Sequence, residues 1–183
     1  MKRIALLLIL FLEVVNLYSQ PQTAKKEMMG AHFAFGGGNY FIIGSLDGGY
    51  NTKYYYGIGV DYSRALSKRW SFCSGLEYTS FNVINKPEHP NAIPFKQNLS
   101  FVTIPVYFKY HFGKFVYFNG GISAVSDGYG VDMLLGCGMG IDFKYEFDSG
   151  FILTMSPYTK YNGILPGHQF FQAGVSLGIG KKF

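Results

Sequence analysis

Nine ionisable side chains fall on one parity of two-residue alternating segments: His32, Asp61, Glu77, Lys109, His111, Asp132, Asp142, Lys144 and Glu146. Alternation places them on one face of their strands, the face turned away from the apolar residues. Such a set could serve as a polar conduit, as an acid–base site, or as a packed plug of ion pairs. Asp61, Glu77, Asp142 and Glu146 offer carboxylates to the ammonium groups of Lys109 and Lys144. Charges held away from water must pair and hydrogen-bond. In a barrel of eight strands the interior is just wide enough for side chains. The expectation is therefore a plugging network, with a conduit as the alternative.

The histidines carry little further chemistry. His32 and His111 share the inward parity, His89 lies in a proline-rich segment, and His168 begins the last alternating stretch. They show no metal-ligand spacing, and no metal or cofactor is expected. His168 is followed by Gln169 and Phe170, with no adjacent serine for a Ser-His arrangement. Ser176 is eight residues along, about 26 Å at ~3.3 Å per residue. No catalytic residue is assigned and no enzyme activity is expected.

Two other signals have bland readings. Gly136 to Gly140 (GCGMG) contains alternate glycines, but no helix follows, as a dinucleotide loop requires. Inward glycines (Gly57, Gly59, Gly136, Gly138, Gly140, Gly174, Gly178, Gly180) relieve crowding in a narrow interior. Cys73 and Cys137 fall on non-adjacent strands and opposite faces, too far apart for a bridge, which needs Cα atoms within ~7 Å. Free thiols are expected.

The elements that position these groups follow from the alternation. Eight strands are expected, at about 28–38, 53–65, 70–83, 100–112, 115–124, 131–147, 151–160 and 168–183, the inward faces being Gly, Ser, Thr and charges. Pro105 within the fourth marks a bulge or local twist. Pro87, Pro90 and Pro94 bar a central strand between Asn85 and Gln97. The links at 66–69, 113–114 and 148–150 are short, and the others are longer. Short and long turns alternating around an even strand number are the pattern of an outer-membrane barrel, with short turns and both termini in the periplasm. An open edge in lipid would leave unpaired backbone groups, so the first strand must close on the last, near Phe33 and Phe35.

Composition agrees. Of 183 residues 48% are hydrophobic and 19% aromatic, only 15% are charged, and 24 are glycine. Mean hydropathy is only +0.10, because apolar and polar residues interleave. Met1–Ser19 reads as a secretory signal, with Lys2 and Arg3 before the apolar run Ile4–Leu12 and cleavage before Gln20. Residues 20–27 read as a short periplasmic tail and 28–183 as one barrel domain. The net charge of +5 is scattered. That argues against a nucleic-acid partner, which needs clustered Lys and Arg.

The last strand alternates Phe171, Ala173, Val175, Leu177 and Ile179 with small or polar residues and stops at the aromatic Phe183. It resembles the assembly signal of bacterial outer-membrane barrels, carried here by Phe171, Val175, Leu177, Ile179 and Phe183. The run SFVTIPVYFKYHFGKFVYFNGGIS, Ser100 to Ser123, resembles the central hairpin of the small Bacteroidetes-type outer membrane protein beta-barrel domain family, porin-like proteins of which the PorT-like proteins are a branch. The resemblance implies an all-β, eight-stranded, antiparallel up-and-down barrel in the bacterial outer membrane. It implies no defined activity, although the PorT branch is linked to secretion. The expected partners are outer-membrane lipid and the barrel assembly machinery. The expected role is structural, or contact through the outer loops. A pore for ions or small solutes is the alternative, and a lipid-modifying enzyme is a more distant one.

Overall fold

The computed structural model describes residues 27–42, 50–85, 96–127, 134–163 and 168–183. They form eight strands: β1 (Glu27–Ile42), β2 (Tyr50–Ala65), β3 (Trp70–Asn85), β4 (Lys96–His111), β5 (Val116–Asp127), β6 (Leu134–Glu146), β7 (Phe151–Asn162) and β8 (His168–Lys182). Each pairs antiparallel with the next, and β8 pairs with β1, so the sheet closes on itself. Closure is made where the alternation requires it, with Phe33 opposite Leu177 and Phe35 opposite Val175. The shortest strands have 12 residues. At ~3.3 Å per residue and a tilt near 45°, that length still covers the roughly 25 Å apolar band of a transmembrane barrel.

Two kinds of link separate the strands. Residues 66–69, 112–115 and 147–150 close tight turns at the end that also holds Glu27 and Phe183. In the third of these, the Gly150 N–H donates to the Phe147 carbonyl at 2.9 Å. Gly150 has φ of 80°, a conformation open to glycine at little cost. The long links all meet the opposite end. The segments expected as signal and tail lie outside the described residues, except Glu27, which belongs to β1. So do the loop prolines Pro87, Pro90 and Pro94.

Strand ends differ from the sequence reading by a few residues. β4 begins at Lys96, before the expected Ser100, and β6 begins at Leu134, after the expected Val131. Of the bulge or local twist expected at Pro105, the bulge is not present. Pairing between β3 and β4 skips from Ser74–Val106 to Glu77–Thr103 and resumes with no change of register. The proline lacks an N–H, so the ladder has a local gap and not an extra residue. Ser74 Oγ donates to the Pro105 carbonyl at 2.9 Å within that gap. Pro157 sits in a similar gap, where β6–β7 pairing skips from Gly140–Tyr158 to Phe143–Met155.

The two faces are chemically distinct. Phe33, Phe35, Tyr56, Ile58, Val60, Leu76, Tyr78, Ile122, Met139, Ile141, Leu153, Leu177 and Ile179 are all exposed on the outside. A monomer in water rarely presents a continuous apolar belt of this kind, and a hydrocarbon surrounding removes its cost. The inward face holds the buried residues, and here the sequence expectation needs correction. It is not confined to Gly, Ser, Thr and charges. Tyr55, Phe81, Val83, Phe101, Val125, Leu134 and Phe170 form a buried apolar cluster inside the barrel, at the end nearer the long links.

Candidate functional site

Buried side chains lie in tiers inside the barrel. The apolar tier is drawn from β2, β3, β4, β5, β6 and β8, six of the eight strands. Its centre is an aromatic stack. The Phe101 and Phe170 rings meet edge-on with centroids 4.4 Å apart, and Phe81 lies 5.5 Å from Phe101 and 6.0 Å from Phe170. β4 and β8 stand four strands apart in a ring of eight, so the Phe101–Phe170 contact crosses the whole diameter. Beside it, the Tyr55 hydroxyl reaches Tyr158 Oη at 2.8 Å, joining β2 to β7.

A second tier holds the buried charges. Glu77, 4% exposed, receives Lys160 Nζ on both carboxylate oxygens at 2.8 and 2.6 Å. Thr79 Oγ1 donates to the same carboxylate at 3.1 Å. β3 and β7 are also diametrically opposed, so this ion pair is a second strut across the lumen. His32 lies between two carboxylates, with Nδ1 2.7 Å from Asp61 Oδ1 and Nε2 3.4 Å from Glu77 Oε2. That arrangement can accept both N–H groups of an imidazolium. Lys160 Nζ also lies 4.7 Å from the centroid of the Tyr158 ring.

Nearer the short turns, Lys109 Nζ meets Asp142 Oδ2 at 2.8 Å and Asn119 Nδ2 donates to Asp142 Oδ1 at 2.5 Å. Ser71 Oγ and His111 Nε2 are 2.8 Å apart. At the rim, Glu146 takes Lys144 at 2.9 Å and Lys182 at 2.5 Å, and Arg64 Nε lies 3.7 Å from Glu27.

Glycines make room for these side chains. His32 is paired across the ladder with Gly59, Asp61 with Gly30, and Lys160 with Gly138. A Cβ on Gly59 would lie 2.6 Å from the His32 ring, and one on Gly30 would lie 2.9 Å from Asp61 Oδ2. A Cβ on Gly138 would meet Tyr107 Oη at 2.8 Å and Lys160 Cγ at 3.1 Å. Each large polar group therefore lies over a position with no side chain, which lets a narrow barrel hold so many.

Asp61, Glu77, Lys109, Asp142 and Lys144 lie on the inward face and Glu146 is exposed at the rim, and they group differently from the expected single network. Asp61 and Glu77 share His32, Lys109 goes with Asp142, and Lys144 with Glu146 at the rim. Lys160, the principal partner of Glu77, was missed. Its signal was present: it continues the parity of Ile152, Thr154 and Tyr158, opposite to the exposed Phe151, Leu153 and Met155. Asp132 lies outside the described residues. Cys73 is buried and Cys137 exposed, and both are free thiols. Ser71–His111 is a Ser-His contact that the sequence reading did not find. Ser71 is 5% exposed, and the contact lies within the crowded lumen. A groove of about 500 Å³ lies among Phe143, Tyr145, Leu153, Met155 and Leu177, with Lys144 and Thr154 also lining it. Among the described residues, no group of three or more His, Cys, Asp or Glu is placed to hold a metal ion.

No family model matches this chain, and no curated protein does. Solved structures do. The outer membrane protein OprG from Pseudomonas aeruginosa superposes with a TM-score of 0.63 at 12% identity, over 88% of this chain and 97% of that one. Ail, the attachment invasion locus protein of Yersinia pestis, in complex with the heparin analogue sucrose octasulfate, matches with a TM-score of 0.51 at 14% identity, over 86% and 99%. Outer membrane protein AlkL in DMPC lipid bilayers matches with a TM-score of 0.51 at 11% identity, over 90% and 94%. The shared property is the fold: a closed, eight-stranded antiparallel barrel of the outer-membrane type.

Proposed function

We propose that this protein is a non-conducting barrel of the bacterial outer membrane that acts as a structural or contact element through its outer loops. The short turns and both strand termini face the periplasm in this reading, and the long links face outward. The carrying observation is the pair of contacts across the full diameter, Phe101–Phe170 and Glu77–Lys160. Side chains meeting from opposite walls obstruct the lumen at two heights. A pore would require both tiers to part, one of them at the cost of separating a buried ion pair. The apolar belt, the fold shared with OprG, Ail and AlkL, and the resemblance of Ser100–Ser123 to the Bacteroidetes-type barrel family support the membrane assignment. With the lumen filled, the surfaces left for partners are the rims and the loops.

Recording from the purified protein in planar lipid bilayers tests this reading. The expected trace is flat at moderate voltage, with insertion verified by a heat-modifiable gel shift. Sustained unitary currents would overturn the plugged reading in favour of a small-solute or ion pore.

A further inference from the structure

We infer that the short-turn rim seats the phosphate headgroups of anionic phospholipids, at a patch built from Lys68, Arg69 and Lys114 with Trp70, Tyr110 and Phe112. This rests on the membrane assignment above, which puts that rim at the periplasmic leaflet. The patch is formed by two neighbouring turns. The His111 N–H donates to the Arg69 carbonyl at 2.9 Å, bringing the 66–69 turn against the end of β4. Ser67 Oγ accepts from the Arg69 and Trp70 N–H groups at 3.2 and 3.1 Å, fixing the turn that carries the cations. Arg69 Nη1 donates to Tyr110 Oη at 3.3 Å. Trp70 packs edge-on to Tyr110, and Tyr110 to Phe112, each at 5.0 Å between centroids.

Charge and exposure select the ligand. Among the described residues, Lys68, Arg69 and Lys114 make no ion pair, whereas Arg64, Lys144 and Lys182 at the same rim are matched to Glu27 and Glu146. Lys68, Arg69, Lys114, Trp70 and Phe112 are exposed, Phe112 at 69%. The long links and the strand ends beside them carry Lys53, Lys86 and Lys96 against Asp47, Glu88, Asp127 and Asp132, so the excess of positive charge lies at the short-turn end. Aromatic rings with cations just beyond them match the layering of an acyl–headgroup boundary. Exposed Lys and Arg there favour anionic over zwitterionic lipid.

Trp70 is the chain's one tryptophan and sits in the patch, so it reports the lipid beside it. The full-length mature protein is reconstituted in phosphatidylcholine vesicles containing phosphatidylglycerol at a fixed fraction, with bromine on the chains of one lipid or the other. Per brominated molecule, phosphatidylglycerol is expected to quench Trp70 about twice as strongly as phosphatidylcholine at low salt. The difference should vanish near ~1 M salt, where the screening length falls to about 3 Å. The triple variant Lys68→Gln, Arg69→Gln, Lys114→Gln should lose the preference, while Lys96→Gln at the other end should keep it. Equal quenching by both lipids in the unaltered protein would overturn the inference and leave the patch to an acidic periplasmic protein. Preference persisting in the triple variant would overturn it too. The salt titration makes the same test without any substitution. Quenching by neither lipid would instead refute the membrane assignment, and the inference with it.

Discussion

Glu77 owes its place to three neighbours on three other strands or positions: Lys160 across the barrel, His32 on β1 and Thr79 two residues along. Removing one partner from a buried ion pair costs about 3–5 kcal/mol, because the other charge stays buried without compensation. Lys160→Met should therefore lower stability by roughly 3 kcal/mol, the low end, since His32 and Thr79 remain. Adding Glu77→Gln should recover a large part of that loss. Guanidinium unfolding in lipid vesicles, followed by Trp70 emission, reads both variants; equal or greater loss in the double variant would contradict the strut. The same residues show what alternation can and cannot reveal. Parity alone decides the face, and Asp61, Glu77, Lys109 and Asp142 share the inward one. It could not give their height along the axis, which depends on tilt and register. Hence Lys144 was grouped with the central acids, although it pairs with Glu146 at the rim. Lys160 is the last residue of the expected seventh strand, 151–160, and carries the inward parity without being named among the inward charges.

The seam between β1 and β8 depends on a pair of glycines. Gly36 and Gly174 stand opposite one another in the ladder, beneath the hydroxyl of Tyr55. A Cβ on Gly174 would collide with the Phe35 carbonyl oxygen and Tyr55 Oη, and one on Gly36 with the Ala173 carbonyl oxygen. Backbone atoms on both sides cannot yield, and Tyr55 is held by Tyr158. Gly174→Ala should cost about 1–3 kcal/mol, as overpacking does. Gly37, next in the chain to Gly36 but facing outward, has nothing within 4 Å of an added Cβ. Gly37→Ala should stay within about 0.5 kcal/mol of the parent. Unfolding midpoints of the two variants in the same vesicles check the contrast, and equal effects would show that the seam has slack. Strand number, order and closure were legible because alternation and turn residues are local signals. The aromatic plug was not. Phe81, Phe101 and Phe170 carry the inward parity, but apolar residues were equated with the lipid side. Beyond the apolar belt both faces of a strand can be apolar, and Phe170–Phe171 at the start of β8 shows this in two adjacent residues.

For the molecule as a whole, becoming a barrel and remaining one place different demands on its last residue. The Phe183 N–H donates to the Glu27 carbonyl at 3.1 Å, adding one backbone hydrogen bond at the end of the closing seam. Its ring is 51% exposed and adds little to the interior. An exposed hydrogen bond of this kind is worth about 1 kcal/mol, small beside the eight interstrand ladders that hold the finished barrel. If Phe183 with Phe171, Val175, Leu177 and Ile179 is the signal read by the assembly machinery, the residue matters before the barrel exists. Deleting Phe183 should then shift the unfolding midpoint in vesicles by no more than that ~1 kcal/mol implies. In cells, the same deletion should sharply reduce the heat-modifiable, outer-membrane form. Normal outer-membrane levels of the truncated chain would refute the signal. A large loss of stability in vesicles, matching the loss in cells, would make Phe183 a structural residue of the seam.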